Sequence, residues 1–312
     1  MAHGRCGQIR LGLAPWTLAA VLAGWGPAFQ GPAAAARATQ PSAASSSRES
    51  RDEAVRSLAQ AKLGREARAK ISGILGATTI YRRLPSQLIE CDPNLYVFLV
   101  EHPDLVVNIW EALGISEVSV ERTGENAFLA NDKAGTLGRM EYLHRSPEMH
   151  LVYAEGSYEG PLFGRPIKGK SLLILQARYF RNSDGRHYVR CRMDAFLQVE
   201  NVGVGMLAKT LQPLVGAAAD HNFRETAAFL SSVSRAAEIN YPGMQRMAEN
   251  LTRVAEDERE EFASLTEQLA IRAAMAQTAH VEKNAAIAAR QGAADRPAAS
   301  TARRGVSAPR KR

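Results

Sequence analysis

GVGMLAKTLQPLVGAAADHNFRETAAFLSSVSRAAEI, residues 203–239, is the stretch on which the fold turns. Val204, Leu207, Leu211, Leu214 and Ala218 recur every three or four positions, and Ala219, Phe223, Ala227, Leu230, Val233 and Ala237 carry the stripe on. That spacing lays an apolar face along one side of a long helix. Pro213 has no backbone N–H, so it should kink the helix or divide it. The segments just before it alternate like strands, and such a sheet needs a cover. The helix is expected to pack across it.

From Ile115 the hydrophobic period is two. Val118 and Val120 share a face, residues 123–126 form a turn, and AFLAND returns from it. Further strands are expected over about 136–145, 149–158, 171–180 and 186–200, with residues 159–170 as a loop and Asn182-Ser183-Asp184-Gly185 as a hairpin turn. In the last strand Val189, Cys191, Met193, Ala195, Leu197 and Val199 face one way. Tyr188, Arg190, Arg192, Asp194 and Gln198 face the other, with Phe196 the exception. That alternation predicts one buried face and one wet face.

Upstream, ATTIYRRL (77–84) reads as a short strand ending at Pro85. Asp92-Pro93 and His102-Pro103-Asp104 start two short helices, a helical corner closed by Gly114. Ser50 followed by Glu53 has the form of a capping box and predicts a helix from there to about Leu75, stopped by Gly76. Downstream, residues 244–291 read as helix, with Met247, Leu251, Val254, Phe262, Leu265 and Leu269 as a narrow seam that Glu258 and Glu261 interrupt. One reading is a solvated helix lying on the domain. The other is a helix pair or partner-binding coiled coil, with self-association through 244–291.

The 312 residues carry a formal charge of +7, but its placement matters more than its size. Three arginines and no acid lie in residues 1–38, and five arginines, one lysine and one aspartate in 292–312. These ends hold +8, which leaves −1 for the rest. No nucleic-acid-binding face is implied by so neutral a middle. Arg5 and Arg10, the apolar run LGLAPWTLAAVLAGW and Ala36-Arg37-Ala38 have the form of an export signal over residues 1–38, giving a periplasmic or extracellular protein after cleavage. The alternative is an uncleaved membrane anchor, although the run falls short of the roughly 20 residues a spanning helix needs. The expected organisation is then a flexible leader (39–49), an N-terminal helix (50–76), an α+β domain (77–240), a helical extension (241–291) and a disordered basic tail (292–312) whose contact with membranes would be peripheral. Cys6 would leave with the signal. Cys91 and Cys191 remain, either paired or as separate buried thiols.

The order strand, two short helices, antiparallel strands, long helix resembles the helix-grip fold of START-like lipid-transfer and polyketide-cyclase proteins. It implies an α+β architecture in which a curled antiparallel sheet of about six or seven strands packs on the long C-terminal helix and leaves a cavity between them. DPNLYVFLVEHPDLVVNIW, YAEGSYEGPLFGRP and LQPLVGAAADHNFRETAAF resemble a family of uncharacterised exported bacterial proteins that has no assigned activity and so transfers no catalytic residue. The resemblance implies an apolar small molecule or lipid as partner.

Chemistry-bearing residues are few. Tyr153 and Glu155 share a strand face, where they would put a phenol and a carboxylate in the cavity; alternatively Glu155 is solvated or pairs with Arg178 on a neighbouring strand. Asp220-His221-Asn222 interrupts the long helix with polar residues, and His221 is either a ligand contact and general base or a hydrogen-bonded or exposed histidine. The expected ligand contacts are therefore Tyr153, Glu155, Arg178 and His221. No metal or cofactor is expected, because zinc spacing is missing and Ala134-Gly135-Thr136-Leu137-Gly138 lacks the lysine of a phosphate loop. The reading is an exported, non-catalytic binding protein. Its alternatives are an envelope interaction protein using 244–291 and an enzyme using Glu155 and His221.

Overall fold

The computed structural model describes residues 42–159, 166–183, 185–200 and 212–294. The expected export signal, residues 160–165 of the expected loop, residues 203–211 of the expected long helix and the basic tail lie outside them, and the end of that loop, from Ile167, is already strand. The described elements are α1 (Arg48–Ser57), α2 (Arg65–Gly76), β1 (Ile80–Arg83), β2 (Gln87–Glu90), α3 (Pro93–Glu101), α4 (Pro103–Ala112), β3 (Ser119–Gly124), β4 (Ala127–Asn131), β5 (Thr136–Ser146), β6 (Met149–Tyr158), β7 (Ile167–Arg181), β8 (His187–Val199), α5 (Gln212–Ile239), α6 (Tyr241–Asn250) and α7 (Glu256–Ala294).

The fold is α+β, with one antiparallel sheet packed against long helices. Its strand order is β1-β8-β7-β6-β5-β4-β3, and β2 also pairs with β8. β1 and β2 follow one another along β8, from Ile80 opposite Leu197 to Glu90 opposite Tyr188. Pro85 falls between them, where its missing N–H breaks the ladder. At the other edge β3 pairs with β4. The edges do not meet. This corrects the expected architecture: the sheet has eight strands, and it is neither curled nor closed around the long helix.

Burial explains the difference. One face carries Leu173, Leu175, Ala177, Val189, Cys191 and Met193 against helices α3 to α7. The opposite face carries Leu151, Tyr153, Leu172, Ile174 and Phe196 against Ala54 of α1 and Ile71 and Ile74 of α2. The second face of β8 is therefore covered at Asp194 and Phe196 and remains exposed at Arg190. SLLIL in β7 is a continuous apolar run, as a strand buried on both sides requires. Asp194, fully buried, accepts hydrogen bonds from the Tyr81 hydroxyl at 2.7 Å and from Arg83 Nε at 2.8 Å. Arg83 also donates to Glu53 of α1 at 2.6 Å, and Arg192 donates to the same carboxylate at 2.7 Å. These bonds hold the Glu53 carboxyl down at about 2.

Local chemistry sets the ends. Ser47, not Ser50, caps α1 by accepting from Ser50 N. The helix expected to run on to Leu75 stops at Ser57 and resumes after Gly64. Ser45 bridges to Arg83 and covers the outer edge of β1. Asp92 caps α3 through Asn94 N and Leu95 N, with Pro93 in the first turn. α5 buries Phe223, Ala227, Leu230, Val233 and Ala237. It is tied along the β1–β2 edge: Arg82 pairs with Asp220, Glu90 N donates to Ser231 Oγ at 3.2 Å, and Asp92 N donates to Ser234 Oγ at 3.2 Å. Serine hydroxyls thus occupy edge N–H groups that would otherwise invite another strand.

The expected helix over 244–291 divides at residues 251–255. Leu251, Val254, Phe262 and Leu269 belong to the domain's own core, so this part of the seam is not free for a partner. Phe262 stacks on Phe98 with centroids 6.2 Å apart. Glu258 interrupts the seam because it accepts from Arg122 at 2.7 Å, and Arg122 also pairs with the buried Asp104 at 3.1 Å. The chain divides at residue 271, and in the second unit Ile271, Met275 and Val281 are exposed.

Two outcomes follow from this packing. Phe262→Ala should cost about 3–5 kcal/mol of unfolding free energy in urea; a loss under about 1 kcal/mol would place α7 outside the core. Burial and the Asp104 carboxylate raise the Glu258 carboxyl above its ordinary value, with Arg122 opposing. The folded state binds that proton more tightly than the unfolded chain does. Stability from this group is therefore complete below the ordinary carboxylate range and is lost as pH rises through the raised value. The stability of Glu258→Gln relative to wild type should increase between about pH 4 and pH 7, and a flat difference would exclude the shift.

Candidate ligand-binding site

The gap between α5 and the sheet is nearly filled. Leu175, Cys191 and Met193 form its floor and Phe223, Ala227 and Leu230 its roof, and about 40 Å³ remains. A dry cavity that accepts benzene measures roughly 150 Å³. The Tyr96 hydroxyl and the Cys191 thiol lie 2.9 Å apart there. Burial pushes the Cys191 thiol up to about 12 and Tyr96 well above its usual range, and Cys91 rises for the same reason. Neither cysteine is a nucleophile in this state, since the thiolate is the reactive form.

The expected contacts are not brought together. Tyr153 points away from α5, towards α2, where Lys70 Nζ lies 5.6 Å from its ring centre. Its hydroxyl donates to Glu155 at 2.9 Å, and burial, then that bond, raises the phenol to about 12. In register Glu155 lies between Arg139 and Lys170. Arg178 is exposed opposite Arg190, roughly 26 Å beyond Lys170 at about 3.3 Å per residue. His221 is exposed on α5, across the sheet from Tyr153 and Glu155, and stands 3.9 Å from Glu225. The polar run around it has a packing reason: Asp220 pairs with Arg82, whose guanidinium lies across Gly216. A Cβ at Gly216 would come within 3.2 Å of that guanidinium.

A larger space opens on the other flank of α5. At Asn240 the chain turns sharply into α6, the Asn240 side chain accepting from Gly243 N at 3.2 Å. A groove of about 370 Å³ is lined by residues of α4, α5 and α6. Trp110, Leu113, Phe229, Val233, Met244 and Met247 line it, with Trp110 edge-on to Phe229 at 5.6 Å. Its polar lining is Glu225, Ser232 and Asn240. The volume falls in the range of about 300–1,000 Å³ typical of small-molecule sites. A more open hollow of about 470 Å³ beside α3 and α7 carries Glu101, Glu148 and Glu261, and those carboxylates suit it poorly to an apolar body. Trp110 and Phe229 are visible in the sequence as apolar helix residues; that their rings meet edge-on in one groove wall is not.

No family model matches the chain, and no curated protein matches it. Among solved structures it is similar to a conserved protein from Geobacillus kaustophilus, 13% identical, covering 46% of this chain and 93% of that one with a TM-score of 0.32. It is similar to an uncharacterized protein from Rhizobium leguminosarum, 13% identical, over 46% of this chain and 95% of that one at a TM-score of 0.28. A third is the lipid transfer and protein localization domain of human StarD13, 10% identical, over 47% of this chain and 76% of that one at a TM-score of 0.28. The similarity is thus to separate proteins at low identity, one of them a START-domain protein, and not to an exported family as such. The order of elements in this chain is a short strand pair, two short helices, a run of antiparallel strands and a long helix.

Cys91 and Cys191 are free and buried. Both should react with an aromatic disulfide reagent only slowly in the native protein and promptly in urea. Fast native labelling of Cys191 would mean that the gap beneath α5 opens to solvent.

Proposed function

We propose that the chain is an exported, non-catalytic binding protein for an apolar small molecule, held in the groove between α4, α5 and α6. The observation that carries this reading is the groove itself: about 370 Å³ with predominantly apolar walls, in a domain whose gap between helix and sheet is otherwise packed. An apolar surface left open between helices is a binding site or a liability, and covering it contributes roughly 25 cal/mol per Å². Export rests on the pattern of residues 1–38. The reading is non-catalytic because the sheet separates Glu155 from His221, so the two cannot act on one substrate.

An uncharged solvatochromic dye should bind saturably and shift to the blue in the presence of the full chain. Ala228 lies on the groove and its side chain is exposed. Ala228→Phe should fill the space and weaken dye binding by about tenfold or more, close to 1.4 kcal/mol, with the thermal midpoint unchanged. Undiminished binding to that variant would dismiss the groove.

A further inference from the structure

We infer that the occupant of this groove carries a cationic nitrogen, held by Glu225; the inference rests on the groove being a small-molecule site. Glu225 is the charged residue among the described residues that line it, and no lysine or arginine stands beside it there. The other polar side chains of the lining are engaged. Ser232 Oγ donates to Ala228 O at 2.9 Å, and the Asn240 carbonyl oxygen caps α6. The partner of Glu225 is His221 on the solvent side, 3.9 Å away and one turn earlier on α5. That is the loose limit of an ion pair, and a carboxylate has about four acceptor positions. It keeps capacity for a donor arriving from the groove.

Position strengthens the case. Glu225 and Phe229 are one turn apart on α5 and therefore share a face. A donor bonded to Glu225 lies beside the Phe229 ring, whose face attracts a cation. Beyond it the walls are Trp110, Val233, Met244 and Met247, which accept an alkyl or aryl body. A fatty acid fits the walls equally well, but its carboxylate would meet Glu225 with like charge in a partly desolvated site. The chemistry selects an alkylamine or arylalkylamine over the alcohol, and the alcohol over the carboxylate.

The test is calorimetric titration of the full chain at pH 7 with n-decylamine, n-decanol and decanoate. The amine is protonated there, having a titration range like that of lysine. Decylamine should bind about tenfold or more tightly than decanol, the range of a hydrogen bond to a charged group, and decanoate most weakly. Glu225→Gln should cost decylamine about tenfold or more beyond whatever it costs decanol, so that the amine's advantage disappears. Ala228→Phe should weaken the amine and the alcohol together. Without any substitution, the amine's advantage should shrink as salt rises from about 0.01 M to about 1 M, where screening shortens from roughly 30 Å to 3 Å. If none of the three ligands binds, the groove reading itself falls. If decanol binds and decylamine gains nothing, or gains as much in Glu225→Gln, the inference falls and the groove survives. Decylamine that binds Ala228→Phe as tightly as wild type also overturns it, since the amine would then be held elsewhere.

Discussion

Asp194 is a carboxylate with no exposed surface, set in β8, the strand next to the β1–β2 edge of a two-faced layer. An unpaired carboxylate there would lose several kcal/mol of hydration. Tyr81 and Arg83 supply the missing hydrogen bonds, and both come from β1, the strand beside it. Arg83 then needs a second anion, which Glu53 provides from α1. One buried charge thus ties the edge strand β1, its neighbour β8 and the N-terminal helix α1 together. The N-terminal helices are a structural layer: with them in place both faces of the sheet are buried, and the sheet has no need to bend around a single helix.

The other face follows from the same arrangement. α5 lies along β2 at the edge of the sheet and turns its apolar side chains towards β7 and β8, fixed by Asp220 at one end and by Ser231 and Ser234 further along. Close packing leaves little room beneath it. Volume remains instead where residues of α4, α5 and α6 line one groove. Among the described residues, more apolar space is left on the flank of α5 than beneath it. That placement leaves the groove open at one side and puts Glu225, a helix-surface residue, at its margin.

The seam of the C-terminal helices admits two readings from sequence, a helix lying on the domain and a partner-binding coiled coil, and up to Leu269 its contacts are with the domain. The seam through Leu251, Val254, Phe262 and Leu269 is real, and Phe98 on α3 is what receives part of it. Glu258 and Arg122 show the same on the polar side: a charge that breaks an apolar seam is placed where another element brings its counter-ion.

What the sequence determined by itself is local. The stripe of α5, the Asp92-Pro93 and His102-Pro103 helix starts and the alternation of β3 to β8 are legible because periodicity and capping act within a few residues. β2 was missed because QLIE is short and mixed in pattern, and the SLLIL run was the one local sign that β7 is buried twice. Tertiary structure alone decided which faces meet. Period two shows that Tyr153 and Glu155 share a face, but not that α2 covers it while α5 covers the other. The groove needs residues 109–115, 225–240 and 243–247 to converge, and no spacing along the chain encodes the space left between side chains that belong to three separate helices.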